Sequence, residues 1–80
     1  MKISILSFGI AKDITGQRFL DWDLDENTRL AELRAALEAR FPALAGLASL
    51  RLAVNSEYAE GDLVLKENDE VAIIPPVAGG

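Results

Sequence analysis

An α+β domain, a mixed sheet of four to five strands packed on one main helix, is predicted by three features of this sequence. Short segments alternate apolar and polar residues with period two, one segment repeats its leucines at helical spacing, and Gly, Pro and Asn clusters separate them. Eighty residues suffice for one such domain, and no linker, internal repeat or low-complexity tract divides them. The expected division is a folded domain over residues 1–74 and an extended tail over residues 75–80.

Lys2 to Phe8 reads as the first strand, with Ile3 and Ile5 on one face and Leu6 and Phe8 on the other. Both faces therefore carry apolar side chains. Gly9 and Gly16 bracket an expected loop. Arg18 to Leu24 follows as a second strand, placing Leu20, Trp22 and Leu24 opposite Asp21 and Asp23, and the two strands should form an antiparallel hairpin. The aromatic residues Phe19, Trp22 and Phe41 are assigned to the core, since aromatics at strand or helix spacing mostly pack.

Thr28 is the expected N-cap of the helix, after which Leu30, Leu33, Leu37 and Phe41 recur on one side and Arg29, Glu32, Arg34 and Glu38 on the other. With Ala31 then at the third helical position, no capping box is expected. Pro42 disfavours helical geometry at Phe41, so the helix should stop near Arg40. Leu50, Leu52 and Val54 then alternate with Arg51, Ala53 and Asn55, and a polar turn leads to a short strand near Tyr58. Further turns fall at Gly61-Asp62 and at Glu67 to Asp69. Val71 to Ile74 is the last strand, ended by Pro75-Pro76. A right-handed connection is expected to bring the third strand beside the first.

Thirteen acidic against eight basic side chains leave a net charge of −5, which argues against nucleic acid as a partner. Neither cysteine nor histidine is present, which excludes thiol nucleophiles, imidazole bases, disulfides and Cys or His metal sites. The carboxylates sit in solvated stretches and read as surface charge. No apolar run is long enough to span a bilayer and no leader opens the chain, so a soluble cytoplasmic protein is expected. Half of the residues are hydrophobic, more than one small core requires, so part of that surface is reserved for a partner.

The order β-β-α-β-β-β is that of the ubiquitin-like β-grasp fold. The segment Asp69-Glu70-Val71-Ala72-Ile73-Ile74-Pro75-Pro76-Val77-Ala78-Gly79-Gly80 resembles the C-terminus of the MoaD family, the small, sulfur-carrier subunit of molybdopterin synthase. Phe8 to Gly16 resembles the first loop of that family, and Leu52-Ala53-Val54-Asn55 its middle strand and turn. Lys12 stands where many members carry arginine; it keeps the charge but loses the bidentate fork.

The resemblance implies that an ATP-dependent activating enzyme adenylates the Gly80 carboxylate, that sulfur then displaces AMP to leave a thiocarboxylate, and that the large subunit of molybdopterin synthase uses it to sulfurate precursor Z. It implies a heterotetrameric synthase in which this chain donates sulfur but is not catalytic alone. No cofactor is expected on this chain; ATP belongs to the activating enzyme. Gly79 and Gly80 lack a Cβ and so suit a narrow tunnel, while Pro75 and Pro76 project the tail as a stiff arm. Alternation puts Ile74 opposite Val71 and Ile73, and with Phe8, Leu6 and Tyr58 it forms a candidate partner surface, joined by Pro75, Pro76, Val77 and Ala78. A thiamine-pathway sulfur carrier, a ubiquitin-like protein modifier and a non-catalytic ubiquitin-like binding module remain alternative readings.

Overall fold

The computed structural model describes residues 1–47 and 50–75. The tail residues Pro76, Val77, Ala78, Gly79 and Gly80 named above lie outside the described residues. Five strands form one sheet: β1 (Lys2–Ser7), β2 (Phe19–Asp23), β3 (Arg51–Val54), β4 (Glu57–Tyr58) and β5 (Glu70–Ile74). Three helices accompany them: α1 (Gly9–Thr15), α2 (Leu30–Arg40) and α3 (Pro42–Ala45).

The strand order is β2-β1-β5-β3-β4. β1 and β2 form the expected antiparallel hairpin, and β3 pairs antiparallel with both β4 and β5. The third strand does not lie beside the first. That place belongs to β5, which runs parallel to β1 with Ser4 opposite Glu70 and Ser7 opposite Ile73. The last strand carries Val71 and Ile73, both fully buried, into the middle of the sheet between β1 and β3.

One face of the sheet packs on α2. Ile3, Ile5, Val71 and Ile73 meet Leu30, Leu33 and Leu37, all of them 3 % exposed or less, with Leu44, Leu50, Leu52 and Leu65 completing the core. At about 1.5–3 kcal/mol for each large aliphatic side chain, this burial is the principal favourable contribution to the fold. Trp22 and Phe41 are half-buried against that cluster, as expected. Phe19 is not: it is 64 % exposed. The reason is parity, since Leu20 and Trp22 face the core and Phe19 shares the opposite face with Asp21 and Asp23.

The segment between Gly9 and Gly16 is a helix rather than a loop. Ala11 is fully buried, and the helix is closed at Gly16 by a bond from its N–H to the Lys12 carbonyl. The short third helix, α3, begins with Pro42 at its first turn, where the missing N–H costs nothing.

Helix α2 has its N-cap at Arg29, one residue later than the expected Thr28. Its first free N–H groups, Leu30 and Ala31, donate to the carbonyls of Leu63 (2.8 Å) and Gly61 (2.9 Å), and Leu65 donates to the Thr28 carbonyl (2.8 Å). Backbone from a crossing segment thus does what a capping side chain usually does, and the Thr28 hydroxyl instead donates to Asp25. The shift puts Glu32 at the third helical position, where its carboxylate accepts the Arg29 N–H at 2.9 Å, one arm of a capping box that was not expected. The crossing is close: a Cβ on Gly61 would lie 2.9 Å from the Cβ of Ala31, so only glycine fits.

Candidate functional site

Residues paired directly across a sheet point to the same face. On the face away from α2, Phe19 pairs with Leu6, Leu6 with Ala72, Ala72 with Ala53, and Ala53 with Tyr58. One apolar row therefore crosses all five strands. Its middle is two alanines and its ends are aromatic, so the row is a trough, with Ala53 buried in its floor and Phe19 and Tyr58 well exposed at its rims.

The next row toward the end of β5 contains Ile74, paired with Arg51, and Phe8 follows Ser7 at the corresponding end of β1. Leu6, Phe8, Ala53, Tyr58, Ala72 and Ile74 together line a hollow of about 280 Å³. Phe8, Ile74 and Tyr58, three expected partner-surface residues, thus meet on one surface. Ile74 is half-buried and Phe8 38 % exposed, whereas Val71 and Ile73 on the other face are fully buried.

Two cations stack on aromatic rings of this surface, Tyr58 and Phe8. The Arg51 guanidinium carbon lies 3.9 Å from the centre of the Tyr58 ring, and that of Arg18 lies 5.8 Å from the centre of Phe8. Such stacking sets a cation over one face of each ring without withdrawing the charge from solvent.

Pro75, the residue after Ile74, is half-buried against Gly9 at the start of α1. A Cβ on Gly9 would sit 3.6 Å from the Pro75 Cγ, so the proline ring rests on the glycine backbone, which adopts φ +53°. The tail therefore leaves the sheet next to Phe8 and Ile74. The other tail residues expected to act, Pro76 through Gly80, lie outside the described residues.

A larger hollow of about 850 Å³ lies on the other side of Tyr58, bordered by Leu63, Val64, Lys66 and several carboxylates. It is open to solvent, and its polar lining is the Tyr58 hydroxyl, the Asn55 amide, the Lys66 ammonium and the carboxylates. Among the described residues no helix is long and apolar enough to cross a membrane.

Sequence reasoning missed Phe19, Ala53 and Ala72 as members of the trough. The signal for Phe19 was present, because the alternation that turns Leu20, Trp22 and Leu24 inward also turns Phe19 outward. The alanines carried no signal: their place in the floor depends on register between strands 19 residues apart in the chain.

A sheet with one main helix on one face and an apolar, uncovered opposite face defines a ubiquitin-like β-grasp domain. The structure of SAMP1 from Haloferax volcanii superposes with a TM-score of 0.84 at 24 % identity, covering all of both chains. The family model described as the ThiS family matches residues 5–80, and the chain belongs to the ThiS family. It is 36 % identical to the molybdopterin synthase sulfur carrier subunit of Homo sapiens, over 99 % of this chain and 94 % of that protein. It is also similar to a chain in the protein-protein complex of subunits 1 and 2 of molybdopterin-converting factor from Helicobacter pylori, with TM-score 0.71, 26 % identity and full coverage of both chains.

Proposed function

We propose that this chain is the sulfur-carrier subunit of a molybdopterin synthase, and that it works in the cytoplasm. The observation that carries the reading is the full-length similarity to the human sulfur carrier subunit, joined to an uncovered apolar face at the root of the Gly79-Gly80 tail. A partner that must act on the tail gains most by gripping the surface from which the tail departs. The Helicobacter pylori complex supports a large subunit as that partner.

In this reading an activating enzyme joins the Gly80 carboxylate to AMP at the expense of ATP, releasing pyrophosphate. A carboxylate is a poor electrophile because its oxygen is a poor leaving group, and the acyl-adenylate removes that obstacle. A hydrosulfide equivalent then displaces AMP and leaves the thiocarboxylate, whose sulfur passes to precursor Z in the large subunit. This chain supplies the acyl group, the reach and the docking surface; its partners bind ATP and perform the catalysis.

Deleting Gly80 tests the proposal. The loss withdraws the carboxyl group by up to about 3.6 Å, while an error of about 1 Å already costs on the order of a hundredfold. Sulfur transfer should be abolished in a reconstituted mixture of activating enzyme, sulfur source and large subunit, with thiocarboxylate followed by intact mass and dithiolene by product assay. The melting curve and the affinity for the large subunit should stay close to the parent's. Full transfer by the deletion variant would remove the tail from the mechanism, and adducts on other proteins in place of thiocarboxylate would make the chain a modifier.

A further inference from the structure

The uncovered face is apolar along its middle row and, toward the tail, at Phe8 and Ile74. One step farther from the tail, Ser4 pairs with Asp21 on one side and Glu70 on the other, and the row beyond pairs Lys2 with Asp23. Three carboxylates there face one ammonium. At the tail end the charges are the guanidinium groups of Arg51 and Arg18, stacked on Tyr58 and Phe8. Among the described residues the single ion pair within 4.0 Å is Arg34 with Glu38, on α2, so the charges on the uncovered face are not paired with one another.

We infer that this face carries a two-ended charge pattern that orients its protein partner: an acidic rim over Arg18 and Arg51, an apolar side chain in the trough, and a basic rim over Asp21, Asp23 and Glu70. The inference rests on the proposed role of the face as the docking surface for the large subunit and specifies the chemistry of the occupant. Along the strands, the Arg51 row and the Glu70 row are four residues apart, roughly 13 Å at strand rise. That exceeds the screening length of about 10 Å at 0.1 M salt, so a partner reads the two ends as separate charges rather than as a cancelled pair. A partner approaching turned half a circle in the plane of the sheet meets like charge at both ends. Repulsion of that kind selects against the wrong orientation during encounter, before the trough is filled. The chain's net charge of −5 cannot do this, because it attracts a basic protein in any orientation.

The experiment is association of the full chain with the large subunit, followed by stopped flow at low salt and again near 1 M salt. The variants are Arg51→Glu, Arg18→Glu, Glu70→Arg, and the double variant Arg51→Glu with Glu70→Arg, each first shown to melt like the parent. The double variant keeps the net charge and abolishes the charge difference between the two ends. Each single variant should slow association several-fold, and the double variant on the order of tenfold or more, with the differences collapsing at high salt. Faster association of Arg51→Glu and Arg18→Glu would show that only net charge steers the partner, and the pattern would be refuted. An unchanged rate in the double variant would refute it equally. Absence of any association by the parent would overturn the proposed function, and this inference with it.

Discussion

The two faces of the sheet are built from the same amino acids and behave as opposites. In β5, Val71 and Ile73 are fully buried under α2, while Ala72 and Ile74 between and after them are only half-buried. In β1, Ile3 and Ile5 are buried, whereas Leu6, and Phe8 just after the strand, are not. Hydrophobicity alone does not distinguish the two sets. What separates them is that one helix can cover one face, so the apolar side chains of the other contribute little to stability and remain available for association. A residue's parity in its strand, taken with the side on which the helix lies, decides whether it joins the core or stays on the uncovered face.

The strongest way to break that comparison is on the covered face. Leu33→Ala and Leu37→Ala should each destabilise the free domain by about 2–5 kcal/mol, because both side chains are buried in the core. In a domain of this size that approaches the whole stability. Thermal or urea melts matching the parent would mean the helix does not hold the sheet.

The next test is on the uncovered face. Ile74→Asp and Phe8→Asp should leave the melt of the free domain within about 1 kcal/mol of the parent while weakening assembly with the large subunit by about 2 kcal/mol or more, since a carboxylate would be desolvated in an apolar contact. Calorimetry on the complex and melts on the free chain measure the two effects separately. If Ile74→Asp unfolded the isolated chain, its half-buried side chain would belong to the core and the distinction between faces would fail at its most informative position.

Phe19 sharpens the comparison with the smallest effect. Its ring is largely solvent-exposed at the rim of the trough, so Phe19→Ala should change stability by about 0.5 kcal/mol or less, the range of ordinary surface substitutions. Were Phe19 the core residue that its chemistry suggests, the same truncation would cost about 3–5 kcal/mol. A single melt discriminates between the two placements.

The period-two runs and the leucine spacing of α2 made most of the architecture legible before any coordinates. Ile3, Ile5, Leu33 and Leu37 entered the core as the pattern required, and Pro42 ended α2 at Arg40. Phe8, Ile74 and Tyr58 came together on one face because alternation fixes that much. Three features were hidden for a common reason: each depends on segments distant in sequence. The start of α2 is set by carbonyls of Gly61 and Leu63, some thirty residues onward. The place beside β1 goes to β5 rather than β3 through pairing across 66 residues, from Ser4 to Glu70. The floor of the trough exists only once Ala53 and Ala72 lie opposite each other. Helix α1 was obscured locally, by the glycines at its two ends.

That central parallel pair also governs how the molecule comes into being. Contacts between segments so far apart carry a high loop-closure cost before they return any free energy, which slows folding and defers it to the end of the search. Until Glu70 to Ile74 has been synthesised and has inserted, β1 and β3 have no neighbour between them and the sheet is two unconnected hairpins. A chain broken off before that strand cannot present the trough at all. Folding therefore acts as a proofreading step: a partner that recognises the finished face meets only molecules whose translation has already passed the root of the tail.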